Sequence, residues 1–230
     1  MREKKLKSDV DFEGTVPSIG SEMRELRKAR TLTLKQLSAA TGVSVSHLSA
    51  IERGATKPSL DVVSAIAEGL SVSPNWFFAP RGGKGPLERA CVVRAHERRN
   101  LNTLYGQPES EIGYTDSLLS STIGGRFYMG LARYAPGAER PDEPMLVHEG
   151  EEHGVVIEGE LEMTLGSEVV TLRAGDSYSY DARIPHHARN RTTAPALLVW
   201  AVSPVVIPKE VQSWDRDTEA ERAEGRTRDD

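Results

Sequence analysis

The sequence predicts an α + β protein of two domains: a five-helix bundle over residues 18–80 and an antiparallel β-barrel over residues 104–208. Three observations carry that expectation. Between Ile19 and Leu70 apolar residues recur three or four apart, with helix start and stop signals between the runs. Beyond about residue 104 this spacing gives way to short alternating runs broken by turn pairs. Charge divides at the same place. Residues 18–80 hold seven Lys/Arg against five Asp/Glu and residues 81–103 six against two, whereas residues 104–230 hold twelve against twenty-three.

Each element follows from its local residues. Residues 1–17 have no apolar period and read as a flexible charged arm. Ile19, Met23 and Leu26 make one buried stripe of a first helix. Thr33 with Gln36 forms a capping box that opens a second, with Leu34, Leu37 and Ala40 inward and Gly42 past its end. Ser44 is placed to cap a third helix, whose apolar side is Val45, Leu48 and Ile51 and which Gly54 ends. Pro58 and Ser59 announce a fourth, with Leu60, Val63, Ile66 and Leu70 inward. Ser73-Pro74 opens a short fifth, and Trp76, Phe77 and Phe78 close the core. Residues 81–90 read as a linker, and residues 81–103 hold it with the first barrel elements. In the barrel Leu161, Met163 and Leu165 alternate, as do Tyr178 and Tyr180, between turns such as Glu158-Gly159 and Gly175-Asp176. Residues 209–230 are charged and predicted to be disordered.

Composition narrows the function classes. The single cysteine, Cys91, excludes an internal disulfide and fits a reducing cytoplasm. Residues 1–17 are too polar for a secretory signal. The longest apolar run, Ala196–Val202, is far short of the ~20 residues that a membrane helix needs, so no membrane partner is expected. The net charge of −5 argues against nucleic acid as a whole-chain property, but the basic part coincides with the helices.

A major groove admits one α-helix, read through small polar side chains at its N-terminal end. Ser44, Ser46, His47 and Ser49 stand at that end of the third helix. Thr33 and Lys35 are placed for phosphate on the second helix, and Arg53 and Lys57 for phosphate beyond the third. Periodicity alone leaves open an inert bundle with solvated serines. Residues 19–78, however, closely resemble the XRE family of helix-turn-helix proteins, the group of phage repressor and Cro. The match runs through Leu26, Arg27, Leu34, Leu37, Ala40, Gly42, Val43 and the segment Ser44–Gly54, and on to Pro58, Leu60 and Leu70. The resemblance implies a lambda-repressor-like DNA-binding domain with Thr33, Ser44, Val45, Ser46 and Ser49 nearest the DNA.

In the β region His148, Glu152 and His186 stand out. Two imidazoles and a carboxylate suit Zn²⁺, Fe²⁺, Mn²⁺ or Ni²⁺. Histidines that merely hydrogen-bond inside a barrel are the alternative. Residues 125–205 resemble the small-barrel cupins, a double-stranded β-helix or jelly roll. Glu152 and Gly159 fit the first cupin motif and His148 its second histidine, but Leu146 stands where the first histidine belongs. In the second motif Gly175, His186 and Asn190 fit, while Asp181 and Arg183 replace its Pro and Gly. The resemblance implies His148, Glu152 and His186 as metal ligands, with His153 or water as a fourth. No cofactor is certain from this pattern.

An XRE domain before one cupin domain is an arrangement of bacterial regulators. The run from His148 to Leu161 is similar to the subfamily that includes the repressor of putrescine utilisation. That resemblance implies a homodimer or higher oligomer that binds an operator in double-stranded DNA and answers a small-molecule effector, acting as a repressor. The expected effector site is His148, Glu152, Tyr178, Arg183 and His186. The acidic residues Glu139, Asp142, Glu143, Glu149, Glu151 and Glu152 suit a cation, either a polyamine or an amino-acid-like metabolite, whereas Arg183 suits an anion. Tyr178, Tyr180 and Trp200 serve either an alkyl chain or the core. The rival expectation is a metal-dependent cupin enzyme, an oxygenase or isomerase, with the helical domain appended. The lost ligand at Leu146 speaks against it, so no catalytic residue is assigned.

Overall fold

A computed structural model describes residues 17–78, 82–105, 113–138, 145–207 and 213–214. The expected arm at residues 1–16, the acids Glu139, Asp142 and Glu143, and all of residues 209–230 except 213–214 lie outside the described residues.

Four α-helices open the chain: α1 (Ile19–Ala29), α2 (Leu34–Thr41), α3 (Val45–Glu52) and α4 (Leu60–Gly69). Each begins on a hydroxyl N-cap, at Ser18, Thr33, Ser44 and Ser59, whose side-chain oxygen accepts a hydrogen bond from a first-turn amide. The capping box at Thr33 is complete, with Gln36 reaching back to the cap. Gly42 ends α2 at φ +71°, a left-handed conformation that costs a side chain with a Cβ, and so turns the chain toward α3.

The bundle core is Met23, Leu26, Leu37, Leu48, Ile51, Val63, Ile66, Ala67 and Leu70, all nearly inaccessible. Each large member contributes roughly 2 kcal/mol by leaving water. The α1 and α3 backbones approach so closely that a Cβ at Gly20 would lie 2.0 Å from the Ile51 carbonyl oxygen. Arg30, at the end of α1, is buried, donating from Nε to the Leu70 carbonyl (3.0 Å) at the end of α4. A buried cation suits that site because the last carbonyls of a helix carry partial negative charge.

Some inward assignments do not hold. Leu60 is 72% exposed because it stands in the first turn of α4, and Ala40 is exposed because α2 buries only Leu37 fully. The fifth helix is a 3₁₀ turn, η1 (Pro74–Phe78). With three residues per turn, Trp76, Phe77 and Phe78 point in three directions. Trp76 and Phe77 are buried, and Phe78 is half exposed. The predicted linker also folds in part, as α5 (Pro86–Cys91), followed by η2 (Ala95–Glu97) and η3 (Asn102–Tyr105).

Among the described residues ten strands follow: β1 (Tyr114–Leu118), β2 (Tyr128–Tyr134), β3 (Met145–Leu146), β4 (Glu151–Glu158), β5 (Glu160–Leu165), β6 (Glu168–Arg173), β7 (Ser177–Asp181), β8 (His186–Arg189), β9 (Ala196–Ser203) and β10 (Ser213–Trp214). They form two antiparallel five-stranded sheets, ordered β1-β2-β9-β4-β7 and β10-β3-β8-β5-β6. β10 falls in the tail expected to be without structure and pairs with β3. Alternation of burial along β2 and β9 sends Tyr128, Ala132, Tyr134, Ala196, Leu198, Trp200 and Val202 inward. Leu161 and Met163 of the other sheet join the same core.

Asn190, a cupin-motif position, is fully buried and structural. It donates to the Ala135 (3.0 Å) and Ala194 (2.7 Å) carbonyls and accepts from the Thr192 amide (2.9 Å).

Candidate functional site

Two sites emerge, one in each domain. The first is the solvent face of α2 and α3. Thr33, Lys35, Ser44, Ser46, Arg53 and Lys57 are exposed, Val45 is 42% exposed, and His47 and Ser49 are half-buried. The opposite side of α3 is held by Leu48 and Ile51. The Ser44 hydroxyl caps the helix by accepting from the His47 amide (3.3 Å) and lies 3.2 Å from the Ser46 hydroxyl. Arg53 folds its guanidinium back to donate to Ser49 Oγ. Hydroxyls and a guanidinium thus stand together on a rigid helix, offering both donors and acceptors.

The second site is His148, Glu152 and His186, whose ligand atoms all lie within 4.8 Å of one another. β4 carries Glu152 and β8 carries His186. His148 sits just before β4, and its amide donates to the Ala182 carbonyl (3.0 Å). Each histidine is oriented by its backbone. His148 Nδ1 lies 3.1 Å from the Glu149 carbonyl oxygen and His186 Nδ1 lies 2.9 Å from that of Ile184. A carbonyl can only accept, so each Nδ1 carries the proton and each Nε2 keeps a lone pair. Both Nε2 atoms stand 3.8 Å from Glu152 Oε2. His186 Nε2 is buried with no hydrogen-bond partner among the described residues. Burial holds the His186 imidazole below its ordinary pKa, against the pull of the Glu152 charge, and keeps that lone pair available.

Glu152 is positioned from β7. The Tyr178 hydroxyl donates to Glu152 Oε1 (2.8 Å), and Tyr180 also hydrogen-bonds this carboxylate. Burial, and then the Glu152 charge, pushes both phenols far above their ordinary pKa, so they remain donors. Gly154 makes the room: a Cβ there would lie 2.4 Å from the Tyr178 ring. A glycine inside a strand marks such close approaches, and that was the signal to read. Tyr180 packs against His186, with ring centroids 5.0 Å apart.

The other expected members are more exposed. Arg183 is exposed and locked to Asp181, which its guanidinium holds down to a pKa of about 2. His153 is more than half exposed and pairs with Glu151 (3.5 Å). It follows Glu152 on β4 and therefore points to the other face, so it does not serve as a fourth ligand. Glu149 and Glu151 are exposed, leaving Glu152 as the interior member of the described acids. Leu146 is the direct cross-strand partner of His186 and puts an aliphatic side chain where the cupin pattern has histidine.

One interior acid was missed. Asp116 on β1 is buried, accepts from Trp200 Nε1 (3.1 Å), and is pushed up to about 7 by burial, with a smaller push from Glu152. A lone Asp in the run Tyr-Thr-Asp-Ser-Leu gives no sign in sequence that it faces inward.

Comparison with known proteins agrees with both halves of this description. Residues 23–77 match the helix-turn-helix family and residues 130–202 the cupin domain family. The HTH-type transcriptional regulator PuuR of Escherichia coli is 24% identical over 193 residues, 84% of this chain and 97% of its own. The HTH-type transcriptional regulator SutR of Escherichia coli is 28% identical over 172 residues, 75% of this chain and 86% of its own. Among solved structures, the cupin domain of an XRE family transcriptional regulator from Enterobacter cloacae aligns with 40% of this chain and 96% of its own, at 28% identity and a TM-score of 0.36. The chain carries a helix-turn-helix domain followed by a cupin domain and is similar over most of its length to HTH-type transcriptional regulators.

Proposed function

We propose that two copies of the chain place their α3 helices in successive major grooves of an operator, and that the cupin domain senses a small molecule or metal ion and biases this binding, as a repressor would. The observation that carries the DNA reading is the exposed N-terminal end of α3, where Ser44, Val45 and Ser46 stand opposite a sealed core. Ser46, Ser49, His47 and Val45 contact bases. Thr33, Lys35, Arg53 and Lys57 contact phosphate, and Ser44 does both work as cap and contact. A homodimer follows from the symmetry of two half-sites, and the DNA partner sets the cytoplasm as the working compartment. No helix among the described residues is long and apolar enough to cross a membrane.

The effector site is centred on His148, Glu152, His186 and Tyr178, with Arg183 at its rim for an anionic group. The buried, partnerless His186 Nε2 and the two lone pairs facing Glu152 Oε2 fit a divalent transition ion. Such an ion would supply a concentrated positive charge to which a carboxylate or hydroxyl of the effector could add. Tyr178 holds Glu152 by Oε1 and leaves Oε2 to face the histidines. Polyamine, amino-acid-like and organic-acid effectors remain the classes to test. We assign the site to sensing rather than turnover because Leu146 removes one ligand of the cupin pattern.

Selection of a random duplex pool by the full-length protein tests the DNA reading. The expected product is a two-half-site sequence with centres about 10 base pairs apart. A pool that fails to enrich overturns it. Thermal shift of the full chain with Zn²⁺, Mn²⁺, Fe²⁺ and Ni²⁺, each with and without polyamines, amino acids and organic acids, tests the sensor. Oxygen consumption or isomerisation of a bound compound would restore the enzyme reading.

A further inference from the structure

Residues 99–104 lie between the two domains and are bonded to both. Toward the sheet they run beside β1 as an added edge. The Leu118 amide donates to the Arg99 carbonyl (2.8 Å), Asn100 bridges Ser117, and the Leu101 amide donates to the Asp116 carbonyl (2.8 Å). The Asn102 side chain clasps β1 twice. Its Oδ1 accepts from the Asp116 amide (2.6 Å) and its Nδ2 donates to the Tyr114 carbonyl (3.0 Å). Leu101, Asn102 and Leu104 are all nearly inaccessible.

Toward the bundle the same segment is held by two arginines. Arg99 donates to Glu22 of α1 (2.6 Å) and lies over the Trp76 ring of η1 at 5.0 Å. Arg30 of α1 donates to the Leu104 carbonyl (2.7 Å) while also holding the Leu70 carbonyl of α4 (3.0 Å). One guanidinium therefore fixes α1, α4 and the segment to one another.

Behind β1 the contact continues inward. Asp116 places its amide on Asn102 and its carboxylate on Trp200 of β9. Trp200 lies against Gly130, where a Cβ would meet the indole at 2.2 Å, and packs edge-on against Tyr128 with ring centroids 5.2 Å apart. β9 is the hydrogen-bonded neighbour of β4, with Trp200 opposite Gly154 and Val202 opposite Glu152. Two residues separate the sensor carboxylate from the tryptophan register.

We propose that the Arg99–Leu104 segment is the strap through which the sensor interior acts on the DNA-reading bundle, with Trp200, Asp116 and Asn102 as its inner end and Arg30 and Arg99 as its outer end. A packed strap with bonds on both edges passes on a shift that a loose linker would absorb. Movement of Trp200 by a guest changes the hold of Asp116 on Asn102, and so the seat of Leu104 beneath Arg30. The strap is a positioning element and touches neither guest nor DNA. Naming its target as DNA reading rests on the proposed function, whereas the test below needs neither DNA nor guest.

Amide hydrogen exchange on the full chain decides it. Trp200→Phe keeps an aromatic ring and removes the Nε1–H. It should speed exchange in the strap and, across the domain boundary, at Thr31, Leu32, Leu70 and Val72 by at least about fivefold. Asp116→Asn, which keeps an acceptor for Trp200, should restore most of the protection that Asp116→Ala loses at the same amides. Val169→Thr, on the exposed face of β6, should leave the bundle unchanged. Changes confined to the strands, or a bundle response equal in Trp200→Phe and Val169→Thr, would overturn the strap. Should Trp200→Phe fail to fold, the comparison of Asp116→Asn with Asp116→Ala carries the same decision.

Discussion

The Arg27 guanidinium grips the Glu52 carboxylate along both edges, Nε to Oε1 at 2.6 Å and Nη2 to Oε2 at 3.0 Å, while Nη1 holds the Leu32 carbonyl at 2.7 Å. This pair joins α1 to the last residue of α3, and both side chains are largely buried. It fixes the angle at which α3 stands out from the bundle. Arg27→Met alone strands a buried carboxylate and should cost about 3 kcal/mol of stability. Arg27→Met with Glu52→Leu removes both charges and should recover most of that loss. Denaturant unfolding of the four proteins measures the cycle. A double-variant loss equal to the sum of the two single losses would mean that the pair is not coupled.

Asp116 gives the protein a pH dependence of predictable sign. Burial raises its carboxyl from 3.8 to about 7, and Glu152 adds to the shift while the Trp200 hydrogen bond opposes it. The folded form therefore binds this proton more tightly than the unfolded form does. Its contribution is fully present below about pH 4 and is lost as pH rises through about 7. Asp116→Asn keeps an acceptor for Trp200 and removes the titration. The variant should gain stability relative to the parent as pH rises from about 4 to about 7. Melting temperature against pH for the two proteins checks this, and parallel curves would assign the shift to another group.

The bundle was legible because its signals are local. Thr33 with Gln36, Gly42, Ser44 and Gly54 act within a turn of themselves, and the structure carries each where spacing puts it. What sequence misplaced were residues at the ends of elements: Leu60 in the first turn of α4 and Ala40 in the last turn of α2 lie outside the packed part of their helices, and Phe78 lies on a 3₁₀ turn. In the sheets, the triad of His148, Glu152 and His186 was visible through its motif, because cupin spacing fixes which strands bring ligands together. Asp116 and the strap were not. Their roles rest on pairings across tens of residues, such as Asp116 with Trp200, and no local pattern encodes those.

Arg53 and the serines of α3 should fail in different ways. Arg53→Ala removes a phosphate contact, so binding should weaken alike for every duplex and the salt slope should fall by about one. Ser46→Ala with Ser49→Ala removes base contacts, so the preferred sequence should change while non-specific binding stays. The Arg53 guanidinium rests on Ser49 in the unbound chain, so Ser49→Ala should also release Arg53 and leave its salt slope intact. Anisotropy titrations at several salt concentrations, on selected and scrambled duplexes, separate the roles. A sequence-dependent effect of Arg53→Ala would move it to the base-reading set.

Leu146 makes the metal reading falsifiable in the direction of gain. It lies directly opposite His186 in the β3–β8 pair, and directly opposed residues in an antiparallel ladder present side chains to the same face. Leu146→His should therefore bring a third imidazole to His148, Glu152 and His186. Affinity for Zn²⁺ or Ni²⁺ should rise by about tenfold or more, about 1.4 kcal/mol. His186→Ala should abolish the ion's thermal shift. Gly154→Ala should weaken it less, by displacing Tyr178 from Glu152 Oε1 while leaving the ligands in place. Calorimetric titration of the full chain and these three variants measures the series. A parent protein that binds no ion while Leu146→His binds one would assign the natural site to a guest without metal. Failure of both to bind would leave the two lone pairs facing Glu152 as acceptors for an organic cation.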